Sequence, residues 1–318
     1  MSDRIADMKR LSLLFAVLLF FVSEGRSQSC YEEAKQVEPV LSKEVRLEYS
    51  KNLELAARQA AEELSADNII WYARRKGYLG YYKDAIESIT IGLEKFPDDA
   101  RLYRHRGHRF ITLRCFDDAI KDFERAAALV RGKPDEVEPD GLPNRLNTPT
   151  STLQSNIWYH LGLAYYLKGD FKNALRAYKE CQKVSKNNDM RTATTYWHYM
   201  TLRRMGKKRE AEKLLRGFST NIELIENTDY LNLLKLNKGE VKAEDLLSTI
   251  RGDANTLGSA SLGYGIGNYF LYNGDRENAM TIFRKIVEGN QWASFGYIAA
   301  EKELAVRNPL ELLEVQKL

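Results

Sequence analysis

A period of 34 residues runs through most of the chain and restricts its fold more than any other feature. It is clearest in WYHLGLAYYLKGDFKNALRAYKEC, Trp158 to Cys181. Trp158, Leu161, Gly162 and Tyr165 recur at the spacing of one helical face, and Gly169 and Asp170 then interrupt the pattern. Ala174, Tyr178 and Cys181 resume it in a second helix. Helices this short are marginal alone in water, so each must bury its stripe against a neighbour.

The same register appears upstream in Tyr103, Gly107 and Phe110, then Ala119, Phe123 and Ala126. It appears earlier still in Ala73, Gly80, Tyr82, Ala85, Ile89 and Gly92, with Ala85 and Ala119 one period apart. Leu202, Gly206, Ala211 and Leu215 form a degraded copy, and Gly267, Phe270, Gly274, Ala279 and Phe283 a better one. Ala211 and Ala279 lie two periods apart, and the copy between them is weakly visible in YLNLLKLNKGEVKAEDLL, with Gly239 at its turn.

These segments resemble tetratricopeptide repeats, helix–turn–helix units of 34 residues with Trp, Leu-Gly, Tyr, Ala and Phe at set positions. The copy from Ser155 to about Asn188 carries Trp158, Leu161, Gly162, Tyr165, Ala174 and Tyr178 but lacks a terminal proline; the copy from Asp67 to Asp99 has Pro97. The resemblance covers roughly residues 66 to 300. It implies an all-α fold, a right-handed α-solenoid of tetratricopeptide-like helix pairs (an α/α superhelix) whose concave side is lined by the first helices. Gly107, Gly162 and Gly267 then let paired helices approach closely, as do Ala85, Ala119, Ala174 and Ala279 on the second helices. A large side chain at Gly162 or Ala174 is expected to overpack, at a cost of about 1–3 kcal/mol.

The array departs from regularity in the middle and at its ends. Ala119 and Ala174 are 55 residues apart, and the surplus falls in 131–154, RGKPDEVEPDGLPNRLNTPTSTLQ, which holds four of the seven prolines and no helical stripe. That insertion reads either as a tolerated surface loop or as a loop folded across the concave face, with LPNRLNTPT the part suited to that role. Leu41, Val45, Tyr49, Leu53, Ala56, Ala60 and Leu64 mark a capping helix within an N-terminal segment, 30–65. The solenoid then occupies 66–318, with 289–318 as a C-terminal cap around Trp292, Phe295, Gly296 and Ile298.

Residues 1–29 read as an export signal: Lys9 and Arg10, the twelve-residue apolar run LSLLFAVLLFFV, then SEGRSQS with its small residues. The run is shorter than the ~20 residues of a spanning helix. Export predicts a periplasmic or secreted protein, with membrane contact only if the signal is retained or Cys30 is lipidated. Three cysteines are too few for a disulfide framework. A formal charge of +4, from 48 basic and 44 acidic residues, gives no reason to expect a nucleic-acid partner.

Arg101 to Phe110, RLYRHRGHRF, is the densest local cluster. With Tyr103, Gly107 and Phe110 packed, Arg101, Arg104 and His108 fall on one flank and His105 and Arg109 on another. No Asp, Glu or Cys shares those turns, so no metal site is expected. Arg106 occupies a position where the repeat pattern has leucine; it must pair with a carboxylate such as Glu87 or Asp122, or reach an edge.

By its register the resemblance implies a concave groove of Arg74, Arg101, Arg104 and His108, continuing through Asn156, Tyr159, Leu163 and Tyr166. Beyond these come Tyr196, Met200 and Arg203, then Tyr264, Asn268 and Tyr272. Arginine forks and amphipathic tyrosines suit an acidic or carboxylate-ended peptide. The expected function is a non-enzymatic interaction scaffold without cofactors. The alternatives are an envelope-complex subunit using its convex face or insertion, a carbohydrate-binding protein, and a hydrolase-like enzyme. For the last, the sequence offers no paired carboxylates, nucleophile constellation or phosphate loop.

Overall fold

The computed structural model describes residues 29–250 and 259–307; the apolar run of the expected export signal and the last eleven residues lie outside this description. The chain divides into two units, 1–33 and 34–318. In the first, the described residues form one helical turn, α1 (Cys30–Glu33), where Glu32 accepts from the Ser29 N–H at 3.0 Å.

Among its described residues the second unit is built of helices joined by turns and loops, with one isolated antiparallel bridge, Val137 to Thr152. It begins with α2 (Lys43–Glu62), then the pairs α3 (Ala66–Tyr78) with α4 (Tyr82–Lys95) and α5 (Ala100–Thr112) with α6 (Phe116–Leu129). After the insertion come α7 (Leu153–Lys168) with α8 (Phe171–Val184), α9 (Asn188–Arg204) with α10 (Lys208–Arg216), and α11 (Thr228–Lys238) with α12 (Ala243–Thr249). The pair α13 (Ala260–Tyr272) and α14 (Arg276–Val287) and the single α15 (Phe295–Arg307) complete the series. From α2 to α11 and from α12 to α15 successive helices pack on one another, and the first helices touch in turn, α3 on α5 through to α11 on α13, which makes this unit an α-solenoid with an inner row of first helices.

Local chemistry accounts for the helix boundaries. Ser42, Ser65, Asn187 and Ser259 cap their helices through side-chain oxygens, and Thr152 and Ser155 form a reciprocal capping box at the start of α7. Within pairs, glycine on the first helix faces an aromatic ring on the second. A Cβ at Gly107 would lie 2.9 Å from Phe123, and one at Gly162 would lie 2.7 Å from Tyr178. The rings can sit there only because glycine lacks that carbon.

Between the two helices of each pair the chain turns through a left-handed residue. Glycine occupies that position in five pairs: Gly80, Gly169, Gly206, Gly239 and Gly274. The exception is Arg114 (φ 65°), one period after Gly80, where a side chain costs about 1–2 kcal/mol. Its guanidinium stands 3.8 Å over the Trp292 ring, donates to the Trp292 carbonyl at 3.0 Å and pairs with Glu301 at 2.8 Å. Trp292 also stacks on Tyr82, and the Phe295 ring lies 5.4 Å from that of His108 and 5.5 Å from that of His160. The segment Trp292–Arg307 therefore packs on its sequence neighbours α13 and α14 and also reaches back to the second and third helix pairs.

Candidate functional site

The inner row carries the residues expected to form a groove, but the structure does not present them as one continuous surface. Tyr159, Tyr166, Tyr196 and Tyr264 are all buried, as are Asn156 and Asn268. Tyr159 donates to the Tyr230 hydroxyl at 3.1 Å, the Tyr166 and Tyr264 hydroxyls share a bond of 3.0 Å, and Tyr196 stacks on Tyr230. Arg203 donates to the Tyr199 hydroxyl at 2.7 Å and to the Tyr272 carbonyl at 3.0 Å. Asn268 Nδ2 meets Met200 Sδ, while its Oδ1 is buried with no partner among the described residues. Tyr166 and Tyr264 border a small cavity of about 110 Å³, beside the ion pair of Arg204 with Glu303.

Arg101 is set apart from the other basic residues. It pairs with Asp99 and Asp67, both at 2.6 Å, and lines an open trough of about 550 Å³ with Phe96, Val130 and Leu153. A cavity of about 650 Å³ between α8, α9 and α10 contains none of the expected groove residues. Arg106 pairs with Asp122 through two bonds of 2.8 Å, which meets the electrostatic demand of its position within the helix pair.

Arg74, Arg104 and His108 do come together, and they are joined by His105 and Arg109 around a cavity of about 180 Å³ between α3 and α5. The helical wheel places His105 and Arg109 on a separate flank; the structure brings them to the same space. Arg109 reaches it by crossing Gly77, where a Cβ would sit 2.6 Å from Nη1. Thus a residue that projects to one side of its own helix enters the cavity through the missing side chain of another.

The insertion closes over this cavity. Leu153 N–H donates to the Glu136 carbonyl at 2.8 Å and Glu138 N–H to the Ser151 carbonyl at 3.2 Å, holding 136–138 extended beside the start of α7. In an extended chain Glu136, Glu138 and Asp140 alternate onto one side. The buried Glu138 carboxylate meets Arg104 at 3.0 Å and His105 Nε2 at 3.3 Å, and accepts from Asn156 Nδ2 at 3.0 Å. Arg74 donates to the Pro139 carbonyl at 2.9 Å and Arg75 to the Gly141 carbonyl at 3.3 Å. Farther along, the Thr150 carbonyl accepts from Asn187, and the Thr150 hydroxyl bonds Glu226. The loop thus folds across the inner row, as one sequence reading allowed, but its acidic EVEPD stretch rather than LPNRLNTPT lies on the arginines.

The electrostatics follow from burial among cations. Desolvation, then the Arg104 guanidinium, hold the His105 pKa well below the ordinary imidazole value; desolvation and Arg109 do the same for His108. His160 is driven down to about 3 by burial and then Arg104. Because arginine only donates, His105 Nδ1 accepts from Arg104 and its Nε2–H faces Glu138, the arrangement of a neutral ring. Burial pushes Arg109 down to about 10, opposed by the phenols of Tyr78 and Tyr82 and reinforced by Arg104 and Arg74. The surrounding guanidinium groups repel a metal cation, so three clustered histidines do not make a metal centre here.

Taken together, the fold and inner row define an all-α repeat solenoid. Residues 155–188 match the family model for the tetratricopeptide repeat, and the other helix pairs follow the same helix–turn–helix plan. Among solved structures, it is similar to YrrB, described as a TPR protein with an unusual peptide-binding site, at 16% identity and TM-score 0.42, over 84% of this chain and 100% of that one. It is also similar to a chain of Naa15/Naa10 bound to HypK-THB, at 14% identity and TM-score 0.37, over 82% of this chain and 40% of that one. No curated protein matches the chain.

Proposed function

We propose that this protein is a non-enzymatic interaction scaffold whose inner row receives an extended acidic segment of a protein partner at its basic end. The supporting observation is the seat that Glu136–Gly141 fills: one buried carboxylate on Arg104 and His105, and two main-chain carbonyls on Arg74 and Arg75. A carboxylate between charged and neutral donors, with main-chain carbonyls gripped beside it, is how an extended peptide is held by both its side chains and its backbone. The partner segment takes this seat as the loop leaves it. We further propose that the scaffold acts in the periplasm or outside the cell, exported by residues 1–29; the amino-terminal sequence of the mature protein tests that part.

The seat is tested with the chain's own loop as probe. Residues 134–143 are replaced by a flexible linker in the full chain, and the peptide PDEVEPDGLP is titrated against it. Saturable binding is expected, weakened about 10- to 100-fold when the residue matching Glu138 is glutamine, the size of one lost charge-assisted bond. If the folded loopless chain binds neither peptide, the seat is only internal packing and the groove reading fails.

A further inference from the structure

Beneath the loop, the charges do not balance residue by residue. Arg104 has the Glu138 carboxylate at 3.0 Å, and Arg74 feels the negative charge of Asp140. Arg109 has no carboxylate within ion-pair distance among the described residues; its polar contact is the neutral ring of His108, and its guanidinium lies 5.9 Å from the centre of the Tyr82 ring. Arg104 Nε is buried with no hydrogen-bond partner. A buried guanidinium without an opposing charge is costly, and a donor left unmade adds to that cost. Both groups border the same cavity of about 180 Å³.

We infer that this cavity is a binding site for one small tetrahedral oxyanion, of the phosphate or sulfate class, held by Arg109, Arg104 and Arg74. The volume corresponds to about six waters at ~30 Å³ each, enough for such an ion with part of its hydration but not for a length of peptide. The three guanidinium groups come from two helices, so their donors reach the space from different directions. That arrangement suits an ion with oxygens on every side better than a planar carboxylate, which one arginine fork can satisfy. His105 and His108 border the cavity as neutral rings, so the net positive charge there comes from the arginines. The oxyanion either is free in solution or is the phosphoryl group of a phosphorylated side chain.

The test uses the full chain in chloride buffer at matched ionic strength, titrated by calorimetry with inorganic phosphate, with sulfate and with O-phosphoserine. The expected result is saturable one-site binding of at least one of them and a thermal midpoint that rises with it. Arg109→Gln is expected to weaken that binding about 10- to 100-fold, the effect of one lost charge-assisted bond. Arg125→Gln, which removes an exposed partner of Asp98, is expected to leave it unchanged. Binding of O-phosphoserine in competition with phosphate assigns the site to phosphoryl groups, and binding of the inorganic ions alone assigns it to free anions.

A second readout is independent of affinity. In anion-free buffer Arg109→Gln removes an unmatched buried charge, so its thermal midpoint should equal or exceed that of the wild type. A lowered midpoint, or failure of all three anions to bind the wild-type chain, overturns the proposal. The proposal shares Arg74 and Arg104 with the peptide seat but rests on Arg109, so its failure leaves the loop-peptide result standing.

Discussion

At the tyrosine-rich end of the inner row, buried polar groups meet partners that are themselves fixed in helices: Tyr166 with Tyr264, Tyr159 with Tyr230, Arg204 with Glu303. At the basic end the partners of Arg74, Arg75, Arg104 and His105 come instead from an insertion without helical structure, and Arg109 has none of opposite charge among the described residues. Both ends are polar and enclosed, yet only the first is closed by elements that cannot leave without dismantling the solenoid. A surface intended for a partner is better built where the occupant is held by a few bonds from a loop than where it is held by a packed helix.

The contrast can be broken most sharply at Glu303. Glu303→Gln leaves Arg204 enclosed without its charge partner, and urea unfolding should show a loss of about 3–5 kcal/mol. Equal stability would mean that water already reaches the tyrosine end. Acid comes next. His160 has a folded pKa of about 3 against an unfolded value near 6.5, so its contribution is complete above about pH 6.5 and disappears as pH falls. By pH 5 it has removed about 2 kcal/mol, and the depressed His105 and His108 act in the same direction. Hydrogen exchange at pH 5 should therefore open α3, α5 and α7 before α13; simultaneous opening would erase the distinction.

Glu138→Gln should cost only about 1–2 kcal/mol, because a released loop admits water to Arg104 and His105. The more sensitive assay is proteolysis between residues 134 and 148, which should accelerate while the helices stay resistant. The smallest effect is expected at Arg114→Gly. Relief of the left-handed backbone offsets the lost Glu301 pair, leaving a net change within about 1 kcal/mol. Exchange in α15 should nevertheless quicken, and unchanged exchange there would show that Trp292 and Phe295 hold this segment without the arginine.

The helix pairs were legible because glycine and alanine spacing reports close approach, and the weak copy around Gly239 fell where α11 and α12 turn. Arg104, His108 and Arg74 were placed together by the same register. Arg109 was not, because a helical wheel follows the direction of a Cβ and not the reach of a long side chain over Gly77. Glu138 was missed since nothing local specifies where an insertion lies. The one available signal was the alternation of Glu136, Glu138 and Asp140 in a chain whose second repeat is rich in arginine. The burial of Tyr159, Tyr166 and Tyr264 comes from contacts along the inner row, Tyr159 to Tyr230 and Tyr166 to Tyr264, and from Glu303 of α15 against Tyr264, and a repeat period does not encode these side-chain pairings.

The packing of Trp292 and Phe295 on the early helix pairs, with Glu301 on Arg114, also fixes how many repeats this array can have. In an open solenoid a unit can be duplicated or lost at small cost, since each touches only its neighbours. Here an added or deleted pair would shift the final helix out of reach of the second repeat and break the join. Melting should consequently be a single concerted event rather than a fraying from the ends, and the length of the array is tied to its integrity.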